Sequence, residues 1–458
     1  MIVAKFGGSS VDSAEAIEGV AAIVRGNLGR QPVVVVSAMA KTTRHLLEAA
    51  AAAAAGDHVA ADSGFEELEA YHRQEAHGVV PPASRPALDA ALDPYFNELR
   101  TELDGLAASR ALTPRLEDAV ASCGELLAST ILSFALSHNG VDAAWVDCRR
   151  VMVTDADFTR ARPLYGPTEA RLRETLLPLV RAGRVPVVGG YVGATLQGVT
   201  TTLGKEGSDF SAAIVGAALG AEEVQIWTDV DGMRTADPRL FPGTRRIRTL
   251  SFAEALELSC SGAKKPHYGT LGPASRAGVP IRILDSRHPE AEGTVIGRRN
   301  PQAPPTIKSI ACRTNDHLIC TQAVGAAAGD GLLGDLFEIC DRFRPSLLVL
   351  GPHGDLALDR HDRLAEIHSA LLSAVGHSAE LWITRGRAVV SLVSEDLASH
   401  PALVQRALNA GRAYEPRLVL SGVAAPVVRL LTEEDQLPGL LARLHEELLP
   451  GGADEVVE

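Results

Sequence analysis

The sequence predicts an α/β protein in two parts, a mostly parallel sheet covered by helices and then two small ferredoxin-like modules. Three observations predict this fold. Strand-like and helix-like segments alternate from Met1 to about Arg298, as in domains built on parallel sheets. The composition then changes at GRRNPQAPPT (297–306), whose prolines are typical of a linker. Beyond the linker the elements follow the order βαββαβ and then a shorter version of it.

The elements of the first part follow from the spacing of apolar residues. Short apolar runs predict strands that are buried on both faces of a parallel sheet. The stretch from His45 to Phe134 is rich in Ala, Leu and Glu and predicts helices, and Ser251 with Glu254 fits a capping box. The predicted strands are Ile2–Phe6, Val33–Val36, Val185–Val188 and Val224–Thr228, and the predicted helices include Ser13–Val24 and one from near Ser208.

The domain boundaries expected from this pattern are 1–299, 313–386 and 387–458. The last module lacks one strand of the βαββαβ order, and we expect a strand within 306–312 to supply it, so that the two modules would interleave. The predicted strands here are His317–Val324, Ser346–Leu350, Asp355–Asp359, Glu380–Thr384, Ala388–Val393, Leu418–Ser421 and Val427–Leu431, and the helices are Gly331–Phe343, Arg363–Val375, Pro401–Ala410 and Leu437–Leu449.

Composition argues against several classes of protein. The net charge of −13 and the lack of a basic block argue against nucleic acid or an anionic membrane as the main partner. No apolar run approaches the ~18 residues that span a bilayer, and Met1 leads into a strand rather than into a signal peptide. The cysteines are scattered without a CxxC pair, which indicates neither a zinc site nor a disulfide framework. We therefore expect a reduced, cytoplasmic protein.

The chain opens with MIVAKFGGSS, a strand that ends in a loop of glycines and serines. Gly7 and Gly8 allow a ligand to approach the backbone closely, and the N–H groups that precede a helix favour an anion such as phosphate. Ser9 adds a hydroxyl group, and Lys5 adds a cation at the strand end. Taken alone, an ordinary turn beside an edge lysine explains the segment equally well.

Two further segments strengthen the interpretation as an anion site. TTTLGKEGSD (200–209) is a second polar loop with glycines that runs into a helix. WTDVDG (227–232) ends a strand with two carboxylates, although turns favour Asp and Gly in any case. Because parallel sheets bind ligands at their strand ends, the loops together predict a nucleotide on one side and a charged substrate on the other.

Six segments in this order resemble the aspartate kinases, and the resemblance covers about the whole chain. It implies the amino-acid kinase fold, a parallel-rich sheet sandwiched by helices, followed by two ACT modules. It also implies ATP-dependent phosphorylation of the side-chain carboxylate of L-aspartate to 4-phospho-L-aspartate, the first step of lysine, threonine and methionine biosynthesis. The segments are KFGGSSV (5–11), VVVVSAMAKTT (33–43), GEL (124–126), TTTLGKEGSD (200–209), WTDVDGMRTADPR (227–239) and GAK (262–264).

The chemistry of this reaction suits the residues. The nucleophile is a carboxylate that is already ionised at neutral pH, so no general base is needed. The protein must instead bring two anions together and neutralise charge on the transferring group. We expect Mg²⁺ on the ATP phosphates, held mostly by phosphate oxygens and water, and no metal site made of side chains.

The resemblance also implies roles for individual residues. Lys5, Gly8 and Asp209 would be catalytic, and Gly7 and Ser9 would help to hold the transferring phosphoryl group. Glu125 and Asp209 would face the ammonium group of aspartate, and Lys205 its α-carboxylate. The remaining implied residues are Ser37 and Thr43 for aspartate and Thr228, Asp229, Arg234, Arg239 and Lys264 for ATP.

Three single positions and the run KPHYG (265–269) depart from the family pattern. Lys205 stands where arginine is usual, and a lysine offers a point charge rather than a two-pronged fork, so aspartate binding is expected to be weaker or differently tuned. Glu206 replaces a usual glycine, which adds a side chain and a negative charge to the loop. Arg234 replaces a usual aromatic residue, so a ring contact to the nucleotide is not expected.

Two alternative interpretations remain open: a kinase of another small acid on the same fold, and a non-catalytic amino-acid sensor. The intact Lys5–Ser10 loop counts against the sensor, and the ACT-like modules together with the TTTLGKEGSD loop favour aspartate. Because ACT modules pair, we expect a homodimer or a larger homo-oligomer. The sequence does not identify the regulating amino acid. Leu348 stands where lysine-sensitive relatives tend to carry an acid, so we expect lysine to inhibit weakly or not at all.

Overall fold

The computed structural model describes residues 1–262, 268–299, 306–323, 356–358, 364–375, 379–395, 397, 400–419 and 426–449. The strands are β1 (Ile2–Phe6), β2 (Pro32–Val36), β3 (Ala143–Val146), β4 (Val153–Thr154), β5 (Val185–Gly189), β6 (Val192–Thr195), β7 (Thr200–Thr202), β8 (Glu223–Thr228), β9 (Thr249–Ser251), β10 (Ile281–Asp285), β11 (Thr294–Gly297), β12 (Ser309–Ala323), β13 (Leu356–Leu358), β14 (Ala379–Val393), β15 (Arg417–Val419) and β16 (Val427–Glu433). The α-helices are α1 (Ala14–Gly26), α2 (Thr42–Ala55), α3 (His58–Gly78), α4 (Arg85–Ser109), α5 (Pro114–His138), α6 (Cys148–Val151), α7 (Tyr165–Arg181), α8 (Gly207–Leu219), α9 (Phe252–Cys260), α10 (Tyr268–Ala277), α11 (Leu364–Val375), α12 (Pro401–Gly411) and α13 (Leu437–Leu448).

The chain forms two compact units. Unit 1 comprises Met1–Met233 with Gly269–Arg298, and unit 2 comprises Arg234–Tyr268 with Arg299–Glu458. Residues 234–268 thus belong to the second unit, whereas the sequence pattern had grouped them with the first part of the chain. The predicted elements of unit 1 are present, and Ser13 caps α1 by accepting a hydrogen bond from the Ala16 N–H group.

The sheet of unit 1 is parallel except at one edge. Its strands lie in the order β3-β5-β2-β1-β8-β10-β11. All neighbours run parallel apart from the antiparallel pair β10 and β11. The short strands β4, β6 and β7 form a second sheet. The prediction of a mostly parallel α/β sheet is confirmed.

Both faces of the central strand β1 are covered, and its single lysine lies on the face that α8 covers. Successive side chains of a strand point to opposite faces. Ala4 and Phe6 therefore lie in the core that includes residues of α1 and α5, while Val3 and Lys5 face the other way. Helix α8 packs on that second face, where a Cβ on Gly216 would lie 3.8 Å from Val3 Cγ2. Lys5 thus points toward the layer that contains α8.

Helix α5 runs through the core of unit 1. Within the described part of the chain it is the one helix that is long and apolar enough to cross a membrane by length and composition. The structure buries 89% of its apolar window, which is the environment of a core helix. Helices α2 to α5 cover the stretch from Thr42 to His138 and confirm the helices predicted there.

Unit 2 contains an antiparallel sheet in the order β13-β12-β14-β16-β15. Apolar side chains of β12, β14 and β16 form one core with helices α12 and α13, including Ile310, Leu392, Leu430 and Leu441. The capping box predicted at Ser251 and Glu254 is present at the start of α9.

Two strands of unit 2, β12 and β14, are longer than predicted. The segments at 380–384 and 388–393 belong to the single strand β14, and the strand expected within 306–312 is continuous with the next as β12. The prediction of separate strands was wrong here because Gly386, at a φ of 66°, and a register irregularity between Arg313 and Leu318 let the ladder continue through a polar stretch. The predicted boundary between residues 386 and 387 therefore falls inside a strand. The elements predicted at Gly331–Phe343 and Ser346–Leu350 lie outside the described residues.

Candidate active site

A buried ion pair between Lys5 and Asp209 forms the centre of the site in unit 1. Lys5 Nζ lies 2.5 Å from Asp209 Oδ1, and the side chains are only 5% and 1% exposed. Asp209 lies in the first turn of α8, where the helix dipole favours a carboxylate. A buried ion pair adds little net stability, because both charges lose their water. Such a pair at a strand end is therefore a candidate functional feature.

The loop after β1 passes directly against this lysine. Gly7 N donates to Trp227 O at 3.1 Å, which fixes the loop to β8. A Cβ on Gly7 would lie 3.6 Å from Lys5 Nζ, and one on Gly8 would lie 2.7 Å from Ala38 O, closer than real Cβ atoms come. The loop that follows β2 leaves no room for a side chain at residue 8, so glycine is required there. The backbone of this loop lies beside the Lys5 cation, an arrangement that suits the predicted anion-binding loop.

Glu125 adds an unusual carboxyl group to the site. It is 3% exposed, and burial raises its pKa to about 8, although the Ala38 N–H group and the Lys5 ammonium both oppose the shift. Among the described residues, neither Glu125 Oε2 nor Asp209 Oδ2 has a hydrogen-bond partner. Because a buried polar atom without a partner is costly, these oxygens would gain from a donor such as an ammonium group.

Three glycines allow close contacts between the segments that form the site. A Cβ on Gly190 would lie 2.6 Å from Ser208 Cβ, and one on Gly189 would lie 3.3 Å from Glu125 Cβ. Gly124 of the GEL segment is equally tight, with a Cβ position 2.8 Å from Ala38 Cβ. Sequence reasoning missed Gly189 and Gly190, although a glycine pair directly after an apolar strand was the available signal.

The other residues predicted to bind aspartate lie on loops and helix starts. Ser37 directly follows β2, where its N–H group donates to Phe6 O at 3.0 Å, and Thr43 lies in the first turn of α2. Lys205 is exposed. Glu206 precedes α8 with a φ of 57°, in the left-handed region that favours glycine. The glutamate at this position is therefore strained as well as charged.

Two of the residues predicted to bind ATP lie at the carboxyl end of β8. Thr228 is buried, and its hydroxyl donates to Asp229 Oδ1 at 3.0 Å. Ser286, which the sequence did not single out, contacts this strand end, since its N–H group donates to Thr228 O at 2.9 Å. Its hydroxyl lies 2.8 Å from the Ser10 hydroxyl. Hydrogen bonds thus link the ends of β8 and β10 to the loop after β1.

Arg234 and Arg239 belong to unit 2, and both side chains contact neighbours within it. Arg234 Nη1 donates to Thr244 O at 3.1 Å, and Arg239 Nε donates to Asp237 Oδ1 at 3.0 Å. Lys264 lies outside the described residues. The roles of these three residues in nucleotide binding stay predictions.

Comparison with known proteins identifies the family. The model of the amino acid kinase family matches residues 1–285, which is more than half of the chain. This chain belongs to the amino acid kinase family. The resemblance to aspartate kinases is confirmed as well, because this amino acid kinase is similar over nearly its whole length to proteins of that name.

Among these relatives is lysine-sensitive aspartokinase 3 of Escherichia coli (strain K12), 30% identical over 466 residues, covering 98% of this kinase and 99% of the relative. Aspartokinase 2, chloroplastic, of Arabidopsis thaliana is 33% identical over 461 residues, covering 97% and 83%. The crystal structure of E. coli aspartokinase III in complex with aspartate and ADP has a TM-score of 0.83 at 28% identity, covering 98% of this kinase and 99% of that chain.

Proposed function

We propose that this amino acid kinase is an aspartate kinase, which transfers the γ-phosphoryl group of ATP to the side-chain carboxylate of L-aspartate. The observation that carries the proposal is the buried pair of Lys5 and Asp209, with Glu125 also buried in the site. The names of the relatives and the aspartate and ADP complex of the E. coli enzyme support this choice of substrates.

The site supplies what this transfer needs. A carboxylate oxygen of aspartate attacks the γ-phosphorus, the bond from that phosphorus to the bridging oxygen breaks, and ADP leaves with the electron pair. Negative charge on the transferring group is high throughout, and a preorganised cation in a water-poor site stabilises it. Lys5, beside the Gly7–Gly8 backbone, is the cation placed to do so.

The acids of the site suit the ammonium group of an amino acid. Asp209 Oδ2 and Glu125 Oε2 would accept hydrogen bonds from it, and this would satisfy two oxygens that have no partner among the described residues. A substrate without that ammonium, such as acetylglutamate, would leave both oxygens unpaired. We propose that this selects a free amino acid, with Lys205 contacting its α-carboxylate.

Mg²⁺ is expected to accompany ATP. Within the described ranges no group of three or more His, Cys, Asp or Glu side chains is arranged to hold a metal ion. We propose that phosphate oxygens and water, the usual Mg²⁺ ligands in nucleotide sites, provide most of the coordination. Asp229, exposed at the end of β8, would be a candidate for an additional carboxylate ligand. The ion would supply charge neutralisation on the phosphates.

We also propose a cytoplasmic homodimer or larger homo-oligomer that forms through the ACT-like sheets of unit 2. Light scattering of the purified protein would measure its mass in solution.

A substrate screen tests the activity. The purified protein is incubated with ATP, Mg²⁺ and aspartate, glutamate or acetylglutamate, and acyl phosphate is trapped with hydroxylamine. We expect hydroxamate with aspartate alone. Preference for another acid would assign a different kinase on the same fold, and ligand binding without acyl phosphate would indicate an amino-acid sensor.

A further inference from the structure

Asp118 is a buried acid in α5 that the proposed chemistry does not use. Its side chain is 1% exposed, and no ion pair to it occurs among the described residues. Four hydrogen-bond contacts surround the carboxylate instead. The Thr159 N–H group lies 3.0 and 2.9 Å from the two oxygens, the Thr202 N–H group donates to Oδ2 at 3.0 Å, and the Thr202 hydroxyl donates to Oδ1 at 2.5 Å.

These contacts join two segments that are far apart in sequence. Thr202 ends β7, and Thr159 lies in the loop before α7. The two segments also contact each other directly, because Ala161 N donates to Thr202 O at 2.8 Å. Thr159 adopts a φ of 70°, an outlier for a β-branched residue. Such strain persists only where the surroundings hold it in place, and it concentrates at functional sites.

The strained loop lies against the start of residues 203–209, the segment that contains Lys205 and Asp209. Gly204 has a φ of 78°, and a Cβ on it would lie 3.2 Å from Thr159 O. Gly204 O accepts a hydrogen bond from Gly207 N at 3.0 Å, and Glu206 O accepts one from Asp209 N at 3.1 Å. These hydrogen bonds connect Gly204 to the first turn of α8, so a shift of Gly204 would also move that turn.

We propose that Asp118 is a positioning residue: by clamping Thr159 and Thr202 it fixes the 203–209 segment so that Lys205 and Asp209 can bind aspartate. The proposal rests on the proposed function. Glu125 follows Asp118 at i+7 on α5, on nearly the same face of the helix. Helix α5 thus provides two groups. Glu125 would contact the substrate ammonium, and Asp118 anchors the 203–209 segment, which would bind the α-carboxylate.

The test replaces Asp118 by Asn, which keeps the shape of the side chain but removes its charge and one acceptor. A second variant, Thr202→Val, removes only the hydroxyl donor. Glu117→Gln is the matched control, because Glu117 is the adjacent, partly exposed residue of the same helix. Aspartate affinity is measured by calorimetry, KM for both substrates by the hydroxamate assay, and amide exchange at 159–161 and 200–206 by mass spectrometry.

We expect Asp118→Asn to weaken aspartate binding and raise its KM about tenfold, as loss of a charge-assisted hydrogen bond typically does. The KM for ATP should change by less than about twofold, both segments should exchange faster, and Thr202→Val should show a smaller effect in the same direction. Unchanged aspartate binding, or an equal rise of both KM values, would overturn the positioning role. A wild-type protein that makes no aspartyl phosphate would instead refute the proposed function.

Discussion

Glu125 leads to a quantitative prediction, because its proposed contact with the substrate ammonium requires an ionised carboxylate, whereas burial keeps this group mostly protonated at pH 7. With a pKa of about 8, only about 9% of the protein carries an ionised Glu125 at pH 7. If the substrate ammonium binds the ionised form, the apparent dissociation constant is the intrinsic value divided by that fraction. Aspartate binding should therefore tighten about eightfold between pH 7 and pH 8.5 and release about 0.9 proton at pH 7.

Two other groups with shifted pKa values interact with Glu125 among the described residues, and neither titrates in that window. The pKa of Tyr191 is raised to about 12, mainly by burial, and burial also raises the pKa of the Cys148 thiol. Lys5 interacts electrostatically with Glu125 and is paired with Asp209. The Glu125→Gln variant should therefore bind aspartate more weakly, with no pH dependence between 7 and 8.5.

Calorimetry in two buffers of different ionisation enthalpy measures the released protons directly, and Glu117→Gln serves as the control. A value near zero at pH 7 in the wild type would show that Glu125 is already ionised and would refute the reasoning. Stability gives an independent check of the sign. A carboxyl group whose folded-state pKa lies above its usual 4.5 contributes stability that is full below about pH 4.5 and is lost as the pH rises through about 8. Glu125→Gln should remove that slope from the denaturation curves.

Three further outcomes are expected. Lys5→Ala should lower kcat about a hundredfold or more, since removal of one preorganised electrostatic contact typically costs ~3 kcal/mol; a normal kcat with only a raised KM for ATP would contradict the assigned role. Asp209→Asn should reduce aspartate affinity far more than ATP affinity, and equal losses in parallel titrations would indicate a general defect. Lysine should inhibit weakly or not at all because Leu348, which lies outside the described residues, cannot pair with an ammonium group; micromolar binding with strong inhibition, in line with the lysine-sensitive E. coli relative, would disprove this.

The sequence predicted those parts of the site that local patterns encode. Lys5 stood out as a charge in an apolar strand, and Asp209 as an acid at a helix start. Their contact depends on α8 covering the Lys5 face of β1, which the strand and helix pattern favours but does not specify.

Features that depend on close contact between distant segments were missed. Gly190 is required by Ser208, and Asp118 is paired with Thr159 and Thr202. No periodicity or loop composition indicates such partners, because each residue is unremarkable within its own segment. The merging of strands in unit 2 was missed for a similar reason, since Gly386 looks like a turn until its hydrogen-bonded partner strand is known.

The two long strands β12 and β14 limit how unit 2 can unfold and which deletions and insertions it can tolerate. Their ladder runs from the pair Ser309 and Val393 to the pair Ala323 and Ala379, so a single ribbon of hydrogen bonds is shared by the two predicted modules. Unfolding of either half would leave the other with an unpaired strand edge, so we expect heating to give one cooperative transition for both. A one-residue deletion within either strand would turn one half inside out relative to the other. Tolerated insertions should accordingly accumulate in the connecting loops rather than within these strands.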